Sequence, residues 1–302
     1  MILNTFKTFD DFELLDSGNG YRLERWGEVI LERPDPQIIW NRSLPIAEWD
    51  KSWAIYNSAS GDDKGKWEIK KHLPTPWILK FGDIKLLLKL SPFKHTGIFA
   101  EQAANWEWML ARIKNNELRS KGEPITHNSQ LKILNLFAYT GGATMALAKA
   151  GCQVTHVDAS KPAITWANEN FALNNLPKDS VRWILDDCAK FVKRELKRGS
   201  KYDGIIMDPP AFGHSPDGKT WRFNNDLPKL LSDAVELLSD NTKFLIINGY
   251  ATNSSALALN NLLEDTLNTR SGLKGKIEFG ELCLKQKSER LISTGIFTRW
   301  SK

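Results

Sequence analysis

Four short apolar runs in the second half of the chain each end in residues that can hold a polar ligand. The first, Leu134 to Phe137, runs into Ala138-Tyr139-Thr140-Gly141-Gly142. A Gly pair between a buried strand and a helix lets a ligand approach the backbone and the helix N-terminus. The spacing is not GxGxxG, which disfavours a pyrophosphate cradle. The second run ends in Val157-Asp158-Ala159-Ser160, where an acidic side chain about 20 residues after the glycines can accept from both ribose hydroxyls. The third enters Asp186-Asp187-Cys188-Ala189. One carboxylate there can accept an adenine amino group while a backbone N–H meets the ring; Asp187 is assigned that role and Asp186 the alternative one of helix cap. The fourth ends in Asp208-Pro209-Pro210-Ala211-Phe212. Two prolines fix the backbone and remove donors, leaving carbonyls and a carboxylate beside an aromatic ring, which suits a planar base.

These residues need a scaffold that brings strand ends to one edge. From Leu131 onward short apolar runs alternate with amphipathic stretches, the pattern of a parallel sheet covered by helices. Strands are predicted at Lys132–Phe137, Gln153–Asp158, Ser180–Leu185, Tyr202–Asp208 and Lys243–Asn248, with closing strands at Lys276–Leu284 and Arg290–Trp300. Helices are predicted at Ala143–Ala150, Lys161–Asn174, Asp187–Lys197, Asn225–Leu238 and Ser254–Thr269. The earlier part reads as β-rich. Tyr21 to Arg33 alternates around Gly27 as a hairpin does, Trp77 to Leu90 turns at Gly82-Asp83, and Ser58 to Lys66 reads as an exposed loop. Eight of the 12 tryptophans precede residue 110, which assigns them to the core. Asn105 to Ile113 reads as a helix and Asn116 to Gln130 as a linker. The expected organisation is a small β-rich domain over 1–95, a helical connector over 96–130 and an α/β domain over 131–302.

Composition sets the function classes. A chain of 302 residues with 41% hydrophobic content can bury a sizeable core. No run approaches the roughly 18 to 20 apolar residues of a membrane span, and the first residues lack a signal-peptide layout, so a cytoplasmic protein is expected. Cys152, Cys188 and Cys283 are too scattered for a disulfide framework or zinc cluster, and no metal is expected. Residues 1–95 carry 14 basic and 14 acidic side chains, so the net charge of +5 lies wholly beyond them. That surplus permits a polyanionic partner such as RNA.

Taken together, these residues resemble the class I S-adenosylmethionine-dependent methyltransferases, in particular the bacterial 23S rRNA cytosine-5 methyltransferase-like group. The likeness rests on Lys94-His95-Thr96-Gly97-Ile98-Phe99-Ala100-Glu101-Gln102, on Asn135 to Gly142, on Asp158 and Asp187, and on Asp208 to Phe212. It implies S-adenosylmethionine as cofactor, and Phe99, Gln102, Tyr139 and Gly141 around its methionine part. Asn135, Phe137, Thr140, Asp158, Ala159, Asp187, Cys188 and Asp208 complete the expected cofactor set. A Rossmann-like seven-stranded sheet ordered 3-2-1-4-5-7-6, with strand seven antiparallel, is implied as well. The RNA-binding PUA domain of many members is not expected, because too few residues precede the β-rich part.

Cytosine-5 transfer needs a cysteine thiolate to add to the ring. The group places one after strand five, where this chain has Asn248-Gly249-Tyr250. Transfer to a nitrogen or oxygen nucleophile needs less from the protein. In that reading Asp208, with Pro209 and Pro210, positions an exocyclic amine while Phe212 stacks on a flipped base. His214, Arg222 and Tyr250 are candidate substrate contacts, and His214, Lys219, Trp221 and Arg222 a candidate mobile loop. Lys190 to Lys201 is the strongest polyanion candidate, with a solvated helix face as its bland counterpart. RNA, with rRNA favoured, leads as substrate. A small-molecule or protein substrate, or a non-catalytic RNA-binding module, stays open.

Overall fold

The computed structural model describes residues 1–58, 65–119, 130–214, 220–270 and 272–302; the side chains of 115–119 and of His214 fall outside the description. The tip of the Ser58–Lys66 loop, most of the 116–130 linker and Lys219 therefore lie outside the described residues. The chain forms two compact units.

One unit comprises residues 5–103 and 283–293. The strands β2 (Phe12–Gly18), β3 (Tyr21–Trp26), β4 (Val29–Pro34), β5 (Ala54–Ser58) and β6 (Gly65–Ile69) form a five-stranded sheet in that order; the strand before them, β1 (Ile2–Asn4), belongs to the other unit. Short helix α1 (Ile46–Trp49) lies between β4 and β5, and β7 (Trp77–Phe81) pairs with β8 (Ile84–Leu88) in a separate hairpin. Both expected hairpins form, with Gly27 at φ +66° and Gly82 at φ +54°. Trp26, Trp49 and Tyr56 are fully buried, which makes the tryptophan-rich composition a core, as a small sheet with one covered face requires. Charges are buried too. Glu24 accepts from Arg33 Nε and Nη2 at 2.6 and 3.0 Å, and Arg22 stands 3.4 Å from it.

The other unit comprises residues 1–4, 104–282 and 294–302. Its elements are α2 (Ala103–Arg119), β9 (Lys132–Leu136), α3 (Gly142–Lys149), β10 (Gln153–Asp158), α4 (Lys161–Leu173), β11 (Val181–Leu185), α5 (Cys188–Lys197), β12 (Gly204–Met207), β13 (Phe212–His214), β14 (Thr220–Arg222), α6 (Phe223–Val235), β15 (Phe244–Gly249), α7 (Ala256–Asn268), β16 (Lys276–Lys285) and β17 (Leu291–Ser301). Buried runs such as residues 204–207 and 244–247 are apolar throughout because helices cover both faces of a parallel sheet. Side-chain caps fix the helix starts: Ser160 accepts from Ala163 N and Ser255 from Ala258 N. A core from Leu134, Val157, Phe191, Leu231, Leu245 and Leu263 packs α5, α6 and α7 onto one face.

The sheet order is β11-β10-β9-β12-β15-β17-β16-β1, with β17 antiparallel to β15. Its first seven strands reproduce the implied 3-2-1-4-5-7-6 order. The eighth corrects the expectation of seven: residues 2–4, assigned to the β-rich domain, pair parallel with Gly280–Leu282. A Cβ at Gly280 would stand 1.8 Å from the Ile2 carbonyl oxygen, so only glycine admits this close pairing. The expected boundaries shift elsewhere. Residues 96–103 of the connector belong with the β-rich unit, as does the hairpin tip 283–293.

Candidate active site at the strand ends

Strand β9 leads into a turn with a repeated backbone reversal. Phe137, Tyr139 and Gly141 take φ of +56°, +51° and +83°. Left-handed φ at non-glycine residues costs roughly 1–3 kcal/mol each and persists only where the surroundings hold it. The supports are explicit. Asp158 Oδ2 accepts from Tyr139 N at 2.8 Å, and its Oδ1 accepts from Ser160 N at 2.8 Å. Phe137 N donates to the Cys188 sulfur at 3.3 Å, and Asn170 Nδ2 donates to the Thr140 carbonyl at 2.8 Å. Burial pushes the Asp158 carboxyl up, against the backbone N–H groups that favour its charge.

Beneath the turn, Asn135 Nδ2 donates to Thr144 Oγ1 at 3.0 Å, and Thr144 Oγ1 shares a 2.9 Å hydrogen bond with His156 Nδ1. All three are buried. Burial holds the His156 pKa down to about 3, so the ring is neutral throughout the working pH range. Asn135, expected among the cofactor contacts, thus has its side chain turned into this support. The two glycines also divide. Gly141 supplies the left-handed turn, whereas Gly142 makes room for a ring: a Cβ there would stand 2.4 Å from Trp106 Cζ2. His156, Thr144, Asn170 and Trp106 were not singled out from sequence, since each is an ordinary core residue until the turn packs on it.

Of the two aspartates after β11, it is Asp187 and not Asp186 that caps the helix. Asp187 is the N-cap of α5, accepting from Lys190 N at 2.9 Å through Oδ1, while Asp186 pairs with Arg194 and accepts from Asp187 N. Capping uses one oxygen of Asp187. Its Oδ2 and the N–H of Cys188, which has no intrahelical acceptor at the first helical position, stay at the strand end. Cys188 is buried, and burial, with nearby carboxylates, pushes its thiol well above the ordinary value. Ala159 is half-buried in the next loop.

At the end of β12, Asp208 is half-buried and its N–H donates to the Leu136 carbonyl at 3.4 Å. Pro209 is buried and Pro210 exposed. Of the residues expected as a mobile loop, His214, Trp221 and Arg222 lie in an antiparallel ribbon: β13 pairs with β14, with Phe212 opposite Arg222 and Gly213 opposite Trp221. Trp221 Nε1 donates to the Pro210 carbonyl at 2.8 Å and its ring lies 5.2 Å from that of Phe137. Phe212 is 55% exposed. Arg222 is exposed, and its N–H donates to Asp226. Trp221 is thus the aromatic residue fixed beside the strand ends, found from sequence only as a member of the loop.

The end of β15 is held by charge. Glu278 accepts from Arg299 Nε and Trp108 Nε1, Arg299 Nη1 donates to Asn105 Oδ1, and Asn105 Nδ2 donates to Asn248 Oδ1 at 2.9 Å. Half-buried Tyr250 and exposed Ala251, the latter at φ +51°, follow. Phe99 and Gln102 belong to the β-rich unit, where Phe99 precedes the 3-10 turn Ala100–Gln102 and its ring lies 4.9 Å from that of His95.

A 3-2-1-4-5-7-6 sheet with acidic residues at the ends of its second, third and fourth strands defines a Rossmann-like methyltransferase. The chain belongs to the S-adenosylmethionine-dependent methyltransferase family, whose pattern it matches over residues 118–277. It is similar over its whole length to the SAM-dependent methyltransferase of Agrobacterium tumefaciens, with 35% identity, a TM-score of 0.89 and 93% of that chain covered. A putative SAM-dependent methyltransferase from Streptococcus mutans shares the fold at 18% identity and a TM-score of 0.70, over 97% of this chain and 76% of its own. Among curated relatives, the ribosomal RNA large subunit methyltransferase K/L of Pseudoalteromonas atlantica is 34% identical over 54% of this chain and 21% of its own length. A putative ribosomal RNA large subunit methyltransferase of Methanocaldococcus jannaschii is 32% identical over 63% of this chain and 42% of its own. The chain thus spans between a fifth and under half of these curated relatives.

Proposed function

We propose that the chain transfers a methyl group to a base in RNA, with ribosomal RNA favoured, and that it does so in the cytoplasm. The observation that carries the reading is the end of β12, where a half-buried carboxylate, Asp208, leads into a ribbon whose Trp221 is held against Phe137. A carboxylate beside flat rings suits an amine on a planar base. Relatives with ribosomal RNA methyltransferase names support RNA as acceptor. No described helix is long and apolar enough to cross a membrane, and no metal-binding group occurs among the described residues.

The residues at the strand ends fit S-adenosylmethionine. Asp158 holds the Tyr139 and Ser160 N–H groups on opposite oxygens, and its remaining lone pairs suit ribose hydroxyls. Asp187 Oδ2 and the Cys188 N–H match an adenine amine and ring nitrogen, and the Tyr139–Gly141 turn takes the methionine part. The cofactor supplies a methyl group already activated on a sulfonium. Asp208 then accepts an N–H of the acceptor amine, and its carboxylate takes up the proton. Pro209 and Pro210 hold that carboxylate's backbone, and Phe212, Arg222 and Tyr250 contact the substrate. A thiolate route to cytosine C5 is disfavoured, because all three cysteines are buried. Purified protein is expected to transfer labelled methyl to undermodified rRNA, and Asp208→Ala to lose about a hundredfold or more in kcat. Full activity in that variant would sink the role of Asp208, and RNA-independent transfer would sink RNA as acceptor.

A further inference from the structure

The exposed face of α5 is more strongly one-signed than the helices beside it. Every exposed residue of α5 is basic: Lys190, Lys193, Arg194 and Lys197. Exposed Arg182, which reaches Glu195 from the start of β11, and exposed Arg198 and Lys201 extend the face at the C-terminal end of the helix. Residues 182–201 hold seven basic and three acidic side chains, so this one segment carries +4 of the chain's +5. The acids are spent locally. Asp186 pairs with Arg194, buried Glu195 pairs with Arg198 and Arg182, and Asp187 caps the helix. The ammonium groups of Lys193 and Lys197 meet no acidic partner among the described residues. On the same face of the sheet α7 is the opposite case, with Glu264 and Asp265 exposed and no basic residue in its length.

We infer that the RNA phosphate backbone runs along this face of α5, a reading that rests on RNA being the acceptor and names the surface that holds it. Lys190 to Lys197 spans about 10 Å at 1.5 Å per residue, the axial length of about three nucleotides at 3.4 Å each. The face begins at the helix turn capped by Asp187, so a strand held there starts beside the proposed cofactor site. Lysines without partners lose little in exchanging water for phosphate, and the counterions they displace from RNA drive binding.

The double variant Lys193→Glu/Lys197→Glu tests this in the full chain, with Lys114→Glu/Lys149→Glu as a control of equal charge change away from α5. Affinity for an rRNA fragment is measured across a salt series. The α5 variant is expected to bind roughly tenfold or more weakly at 0.1 M salt and to lose about 1.4 from the slope of log K against log salt. Its KM for RNA rises, while kcat at saturating RNA and calorimetric affinity for S-adenosylmethionine hold. The control keeps wild-type values. Methylation with unchanged RNA affinity and salt slope in the α5 variant overturns the surface and leaves the proposed function standing. Wild type that neither binds nor methylates RNA overturns both. Polyglutamate competing as strongly as RNA overturns a phosphate surface in favour of an acidic protein one.

Discussion

Glu101 shows how much a single residue's setting matters. In sequence it is one letter of the Lys94–Gln102 segment, whereas in the fold it is 6% exposed and burial raises its carboxyl to about 6, against Arg22 and Arg33. The folded state therefore favours the protonated form. Its stabilising contribution is full below about 4.5, and is lost as pH rises through about 6. Glu101→Gln should remove this dependence and raise stability at pH 7 by about 2 kcal/mol, since one pKa unit is worth about 1.4 kcal/mol. Denaturant melts of both proteins from pH 4.5 to 7 check it; parallel curves would refute the buried-acid account. Neighbouring Glu24 acts in a lower window. Burial raises its carboxyl, but Arg33 and Arg22 bring it below its ordinary value, so its contribution falls away only under that range.

At the scale of elements, the start of α3 against α2 decides what the glycine pair means. The placement of Gly141-Gly142 between strand and helix was legible in sequence, because a buried apolar run followed by small residues leaves few alternatives. Which glycine takes the left-handed turn and which makes room for a ring was not. Trp106 lies 36 positions earlier and only packing brings its ring within 2.4 Å of a Cβ at residue 142. Gly142→Ala is expected to cost about 1–3 kcal/mol through overpacking. Adding Trp106→Leu should make the Gly142→Ala step cheaper, as contacting residues couple in a double-mutant cycle. Additive losses in denaturant midpoints would show that the ring is not the obstacle. The Asp186–Asp187 pair follows the same logic: local spacing offered Asp186 as the cap, whereas in the fold Asp186 pairs with Arg194 and Asp187 caps α5.

At the scale of the molecule, the hairpin tip 283–293 joins a unit whose other residues lie some two hundred positions away. Gln286 is its anchor. Its Nε2 donates to Asp16 Oδ1 at 2.8 Å and its Oε1 accepts from Ser17 Oγ at 2.8 Å. Asp16 also accepts from Ser43 N, Leu44 N and Trp49 Nε1, so the carboxylate is the polar centre of the unit. Gln286→Ala should cost about 1–3 kcal/mol by stranding buried partners. Chemical denaturation followed by tryptophan fluorescence reads it, because six of the 12 tryptophans lie in that unit; an unchanged midpoint would rule out the tip as part of its core.

The sequence by itself determined the layout of the α/β half: periodicity is local, so the succession of strands and helices and the positions of Asp158, Asp187 and Asp208 at strand ends were readable from spacing, and the order of the seven strands came by resemblance. Only the tertiary structure decided the rest. The eighth strand, the shared hairpin tip, the supports under the Tyr139 turn and the ring of Trp221 beside Phe137 all depend on contacts between distant segments. Such contacts leave no period in a single sequence, since packing selects among many residues of the same type by where the backbone places them.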